Sequence, residues 1–315
     1  MSDILISERI TGAAVDALSD DFTVATEPDL WRSPDDLRDR LAGFRALMVR
    51  NQTQVDARLI ASAPSLEVIG RAGVGTDNID LDAAKQHGVA VVYTPEQNAI
   101  SVAELVMGSM LSLARHIPAA SLNASEGGWD RHRFMGVELY GKTLGIVGLG
   151  RIGHRLGIRA RAFGMDIVAH DPFVRADGVV ASELRSPMLS LTELLARSDF
   201  VSCHMPLIPE TKHLFNDAAF AAMRPTAYFV NAARGGVVDE TALIRALRDG
   251  DIAGAALDVR EVEPPVASPL NDMDNVILTP HIAALTDEAQ ERVVASLCGD
   301  VAAVLRGEMP AHIAR

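Results

Sequence analysis

Apolar residues in this chain alternate between short unbroken runs and stretches where they recur every three or four positions. The runs read as buried strands and the spaced stretches as helices with one face turned inward. Strands are expected at residues 4–7, 22–24, 46–49, 66–69 and 89–93, with helices near 13–18 and 35–41. Thr53-x-x-Asp56 resembles a capped helix start, followed by apolar Leu59 and Ile60. Ser101-Val102-Ala103-Glu104 reads as a capping box opening a long helix to about Arg115.

The alternation then repeats. A loop-rich connection over 125–140 leads to a strand at 144–147, and further strands are expected at 167–171, 200–204, 227–231, 254–257 and 276–278. Ser190 and Glu193 form a second capping signature, and Phe220 and Met223 belong to a short helix. Asp239 caps a helix over 241–247 that Gly250 stops, and a long amphipathic helix covers 287–306. Strand–helix alternation of this kind describes an α/β chain with doubly wound parallel sheets. Two domains are expected, 1–98 joined by 286–315, and 99–285.

Composition narrows the class. With 48% hydrophobic but only 4% aromatic residues, Val, Ile, Leu and Ala must fill the cores, as in helix-covered parallel strands. The 42 acids against 29 Lys and Arg give a formal charge of −13, which repels phosphate backbones and argues against a nucleic-acid partner. No basic-then-apolar leader and no bilayer-length apolar segment is visible, so no membrane partner is expected. Two widely spaced cysteines make neither a metal cluster nor a disulfide framework. A cytoplasmic chain without a metal is the expectation.

Chemistry enters at Gly148-Leu149-Gly150-Arg151-Ile152-Gly153, where a strand-like run meets glycines at the dinucleotide spacing. Gly148 would make the tight turn, Gly150 would admit a pyrophosphate, and Gly153 would let the helix press on its strand. Asp171, 23 residues beyond Gly148, can take both hydroxyls of an adenosine ribose and repel a 2′-phosphate. Arg175 lies too far past the strand end to rescue NADP, so NAD is the expected cofactor in a Rossmann-type domain. Polar groups also gather at strand ends: Arg234, then Asp258 and Glu263, then His281. Hydride transfer needs a group to take or give the hydroxyl proton, and His281 has the chemistry for it near pH 7. Glu263 can hold its ring, Arg234 offers a planar fork to a carboxylate, and Asp258 suits the nicotinamide carboxamide. In the first domain the strand ends bring Arg50, Asn51, Arg71, Gly73 and Val74 together as ligand candidates.

These motifs carry a resemblance. Gly70-Arg71-Ala72-Gly73-Val74-Gly75, the glycine fingerprint, Asn231-Ala232-Ala233-Arg234-Gly235-Gly236 and Thr279-Pro280-His281-Ile282-Ala283 are similar to the D-isomer-specific 2-hydroxyacid dehydrogenase family. The similarity runs over essentially the whole chain and is greatest to the phosphoglycerate-dehydrogenase-like members. It implies a Rossmann NAD-binding domain with a second, flavodoxin-like α/β substrate domain, and a homodimer joined through the NAD-binding domains. It also implies catalytic Arg234, Glu263 and His281, with Glu263 rather than Glu261 as the histidine partner. Substrate contacts would come from Arg50, Asn51, Arg71, the Gly73–Val74 backbone and, by reach from the interface connection, Arg133. Cofactor contacts would come from Gly148, Gly150, Arg151, Ile152, Gly153, Asp171, Pro206, Ala232, Asp258 and His281.

The expected substrate is a small anionic 2-hydroxy or 2-oxo acid of D configuration with a second anionic group, such as 3-phosphoglycerate. Two departures complicate that choice. Asn51-Gln52 replaces the small residues usual after the corresponding arginine, and the chain ends at Arg315 without the further domains of many serine-biosynthetic relatives. (S)-3-Sulfolactate and hydroxypyruvate or glyoxylate are the alternatives. An NAD-sensing, co-repressor-like protein is the non-enzymatic one, disfavoured by the intact Arg and His.

Overall fold

Among residues 2–314, which the computed structural model describes, the apolar runs become strands, most of them buried on both faces and the edge strands Val24–Thr26 and Val276–Leu278 only in part. The chain divides into two compact units, one comprising the residues up to Asn98 and from Leu285 on, the other Ala99–Ala284.

The first unit holds β1 (Ser2–Ile6), β2 (Val24–Thr26), β3 (Phe44–Val49), β4 (Val68–Arg71) and β5 (Ala90–Tyr93). They form a parallel sheet in the order β2-β1-β3-β4-β5, with Ile4 beside Ala46 and Val68 beside Ala90. This is the flavodoxin-like order, which reverses between β1 and β3. Period-two alternation assigns the faces. Ile4, Ile6, Met48 and Val68 pack with Val293, Leu297 and Val301 of the helix Asp287–Leu305, while Leu5, Leu47, Val49 and Ile69 pack with Leu37, Leu41 and Ile60. Thr286 caps that last helix by accepting from the Ala289 N–H, and Asp287 and Glu288 face its positive end. Beyond it, Ile313 bridges antiparallel to Val92 and covers the β5 edge.

The second unit contains β6 (Thr143–Val147), β7 (Asp166–His170), β8 (Phe200–Cys203), β9 (Tyr228–Asn231), β10 (Gly254–Leu257) and β11 (Val276–Leu278). Their order is β11-β10-β9-β8-β6-β7, all parallel. Outside β7, Met188 makes a single parallel bridge to Ala169. The next strand of the dinucleotide-binding order is thus reduced to one residue, which the apolar pattern could not reveal. The scarce aromatics concentrate here: the Phe215 and Phe229 ring centroids lie 4.7 Å apart and those of Phe220 and Phe229 5.5 Å apart. Both cysteines are buried, and burial pushes their thiols up to about 12, so they behave as small core residues.

Two expected helix starts shift. Asp56, not Thr53, caps the helix Ala57–Ala61, accepting from the Leu59 N–H at 2.8 Å. Thr53 is buried, with its N–H donating to Glu8 and its hydroxyl 3.0 Å from that of Ser7. The long helix begins at Ala99, so Ser101 is buried inside its first turn rather than at its cap. A further helix, Ile117–Ser125, follows a left-handed turn at His116 within a stretch where no helix was expected. By contrast, the capping box at Ser190 and Glu193 is complete, and Asp239 and Gly250 bound Glu240–Asp249. No single helix among the described residues is long and apolar enough to cross a membrane.

Leu297 is fully buried at the centre of the first unit's helix-covered face. Leu297→Ala should cost about 2–5 kcal/mol of unfolding free energy by chemical denaturation. A loss below about 0.5 kcal/mol, the scale of a surface substitution, would contradict this packing.

Candidate active site

β6 enters the fingerprint through a glycine that needs its freedom. Gly148 has φ 97°, and a β-carbon there would lie 2.8 Å from the His204 carbonyl carbon. A β-carbon on Gly153 would lie 2.3 Å from the Gly148 carbonyl oxygen, so only glycine permits this close helix–strand contact. At Gly150 a β-carbon would meet nothing within 4 Å. Gly150 also caps the helix Arg151–Ala162 without any side-chain bond, leaving its first N–H groups and positive dipole end for an anion. Arg151 is exposed and Ile152 half-buried in that first turn. Asp171 lies just past β7 and accepts from the Leu149 N–H at 2.9 Å and the Phe173 N–H at 2.8 Å. One backbone bond per carboxylate oxygen leaves acceptor capacity for hydroxyls. Arg175 is paired with Asp177 through two bonds of 2.9 Å. These residues fit a dinucleotide with free ribose hydroxyls.

The ends of β8 to β11 carry the reactive groups. Pro206 is exposed after β8, its carbonyl accepting from the Thr211 hydroxyl. Beside it, burial pushes His204 down to about 4, so its imidazole is neutral. After β9, the Asn231 amide donates to the Arg234 carbonyl at 3.0 Å and accepts from the Ala233 N–H, framing Ala232 and Arg234 in a short loop. The Arg234 guanidinium donates to the Ala233 carbonyl at 2.7 Å.

Glu263 and His281 meet: Oε2 of the carboxylate lies 2.7 Å from Nδ1 of the ring. The other oxygen of Glu263 accepts from the Arg260 N–H at 3.0 Å. Burial raises the Glu263 carboxyl, but the His281 and Arg260 bonds and the nearby charges of His281 and Arg234 leave it below its ordinary 4.5. An ionised carboxylate has no proton to give, so Nδ1 carries the hydrogen and Nε2 is left for a ligand. His281 has φ 55°, a conformation L-residues resist. Asp258 holds it there. This buried carboxylate accepts from the Thr279 hydroxyl at 2.6 Å and the Ile282 and Ala283 N–H groups at 2.9 and 2.8 Å. Asp258 therefore acts first as the anchor of the His281 loop.

The first unit's candidates are more committed than their spacing implied. Nε of Arg50 donates to the Arg9 carbonyl at 2.7 Å and NH2 to the Gln290 amide oxygen at 2.6 Å. Arg71 donates to the Ala72 carbonyl and lies across Gly73, where a β-carbon would sit 1.7 Å from its NH1. Gly73, at φ 148°, cannot be replaced without moving that arginine. Val74 is half-buried and Asn51 exposed. In the second unit, Arg133 is exposed, 3.9 Å from Asp274 and against the Phe134 ring.

Sequence reasoning missed what orders these loops. Glu8, almost fully buried, accepts from the N–H groups of Arg50, Gln52 and Thr53. Asn78 donates to the carbonyls of Arg50 and Thr53. The one local clue was an acid directly after an apolar strand, and nothing in the sequence named its partners.

Residues 107–283 match the family model for the D-isomer specific 2-hydroxyacid dehydrogenase NAD binding domain. The chain belongs to that family. Its second unit is the NAD-binding domain, and its first is the further parallel α/β unit usual for the family. The chain is 44% identical over 314 residues to a D-3-phosphoglycerate dehydrogenase of Methanocaldococcus jannaschii, covering 99% of this chain and 59% of that protein. It spans little more than half the length of the curated relatives it matches. The crystal structure of the TT0316 protein from Thermus thermophilus superposes with a TM-score of 0.93 at 35% identity, covering 99% of this chain and 100% of that one. A D-lactate dehydrogenase from Aquifex aeolicus, solved with NAD and lactic acid, gives 0.88 at 29% identity, covering 99% and 98%.

The depressed Glu263 carboxyl has a stability consequence. A group lowered on folding contributes stability that is complete above its unfolded value near 4.5 and lost as pH falls through the lower folded value. The melting temperature of Glu263→Gln should therefore lie furthest below the parent's above pH 4.5, the gap closing in more acid solution. A gap independent of pH would refute the ionised pairing.

Proposed function

We propose that this chain is an NAD-dependent dehydrogenase of D-configured 2-hydroxy acids bearing a second anionic group, with 3-phosphoglycerate the preferred candidate. The observation that carries the reaction class is the 2.7 Å pairing of Glu263 with His281, close enough to Arg234 for its charge to be felt, in a dinucleotide-binding unit. The substrate choice rests on the relatives' names and on Arg50 and Arg71 persisting at strand ends of an acidic chain.

The helix N-terminus at Gly150 to Gly153, with Arg151 and Ile152, would hold the pyrophosphate, and Asp171 the adenosine ribose. Pro206, Ala232, Asp258 and His281 would line the nicotinamide end. NAD, when bound, supplies the ring that accepts or returns the C2 hydride. Arg234 would bind the substrate carboxylate, a bidentate task suited to guanidinium; the Gly73 N–H expected to share that task donates instead to the Arg71 carbonyl at 2.9 Å. Nε2 of His281 takes the hydroxyl proton during oxidation and returns it during reduction. Glu263 keeps Nδ1 protonated and stabilises the imidazolium formed.

A second reading is favoured by one observation. Two of the three guanidinium nitrogens of Arg50 already serve Arg9 and Gln290. A singly charged sulfonate, assisted by the Asn51 and Gln52 amides, would demand fewer charged donors than a phosphate, which points to (S)-3-sulfolactate. Arg133 would serve the distal anion across a homodimer formed through the NAD-binding domains. The exposed apolar side chains Trp129, Met135 and Tyr140 in the same connecting segment support such a contact. Two free, buried cysteines agree with a reducing cytoplasm.

His281→Ala should lower kcat by about 10²–10⁴-fold, with NAD affinity in a binding titration changed far less than that; preserved turnover would remove His281 from the chemistry. Initial rates of NAD reduction with D-3-phosphoglycerate, (S)-3-sulfolactate and D-glycerate should rank D-glycerate last. Preference for D-glycerate would overturn the second anionic group.

A further inference from the structure

A salt bridge that no motif contains lies behind the acid/base pair. Arg260 follows β10, and its side chain is only 8% exposed against 16% for its partner Glu240. The pairing is bidentate, Nε to Oε1 and NH2 to Oε2, both at 2.9 Å. Glu240 opens the helix Glu240–Asp249, where an acid is favoured by the dipole. Its Oε1 also accepts from the Glu261 N–H at 2.7 Å. One carboxylate thus holds the side chain of residue 260 and the backbone of residue 261.

The opposite side is closed as well. A β-carbon on Gly235, next to Arg234, would stand 1.8 Å from the Arg260 carbonyl oxygen. The segment therefore has little room to move toward the Arg234 loop, and moving away would break the Glu240 bonds. The backbone N–H of Arg260 is the donor that Glu263 Oε1 accepts, which leaves Oε2 for His281. The neighbouring acid is occupied elsewhere: Glu261 Oε1 lies 2.7 Å from Nε2 of His213.

We infer that Arg260 and Glu240 form a positioning pair, which orients the Glu263 carboxylate toward His281 by fixing the Arg260 N–H. This rests on the acid/base reading of Glu263 and His281. Without the pair, Oε1 has no fixed donor and the carboxylate rotates among poses, of which one serves Nδ1. Arginine at 260 suits this site because its planar fork matches both carboxylate oxygens, where lysine offers a single point charge on a flexible stem.

The test is a cycle of Arg260→Met and Glu263→Gln. Turnover is assayed with NAD and whichever of the three hydroxy acids reacts fastest, and NAD affinity is measured calorimetrically without substrate. Arg260→Met should lower kcat about tenfold, the scale of a modest misplacement, with KM and NAD affinity changed less than about twofold. Arg260→Lys should recover part of the loss. In the Glu263→Gln background the same substitution should change kcat less than about twofold, because a residue acting through Glu263 has nothing left to position. Equal losses in both backgrounds would show a general structural role and overturn the inference, as would full activity in Arg260→Met. If Arg260→Met does not fold, Glu240→Gln takes its place with the same expectations. Unchanged kcat in Glu263→Gln alone would instead overturn the acid/base reading on which the inference rests.

Discussion

The candidate site depends on one buried carboxylate. Asp258 accepts three protein hydrogen bonds around the turn that carries His281. That turn places a non-glycine residue at φ 55°, a conformation costing about 1–2 kcal/mol. Hydrogen bonds to a charged group contribute about 1.5–3 kcal/mol each, so the three together outweigh the strain. A histidine held this way presents its ring in one orientation, and Glu263 then selects which nitrogen faces outward.

The same device recurs through the chain. Glu8 gathers three backbone N–H groups at the end of β3, Asp171 ties the fingerprint turn to β7, and Glu240 holds the Arg260 segment. Asp300, buried in the last helix, accepts from the Ala311 N–H and faces His312 where the chain turns back to cover β5. The formal charge of −13 therefore has an internal component. Several acids order loops that would otherwise leave backbone donors unpaired, rather than only keeping the surface hydrated. Those loops lie at the carboxyl ends of parallel strands, where the fold gathers its ligands.

Motif residues and motif geometry were legible to different depths. Gly148, Gly150 and Gly153 could be assigned distinct duties because glycine spacing encodes backbone freedom directly. The proximity of Glu263 to His281, 18 positions apart in sequence, was reached only through strand-end topology and resemblance. Arg50 and Arg71 were recognised as charged strand-end residues. Their commitment to Arg9, Gln290 and Ala72 was not, because a long flexible side chain chooses among partners that sequence does not bring near. Thr53 and Ser101 show the same limit at shorter range. Both sit in capping patterns, and both are buried beside other elements that satisfy them or extend the helix past them.

Periodicity and turn chemistry, acting over a few residues, set the kind and order of the elements, the two parallel sheets and the glycine loop for a dinucleotide. Those properties are local, since apolar spacing and glycine need no distant partner to act. Tertiary structure decided which carboxylate meets which donor: Asp258 under His281, Glu8 under Arg50, Glu240 beside Arg260. Such pairings depend on burial, which removes competing water, and on backbone groups brought together from separate strands. Neither condition exists until the sheet has formed.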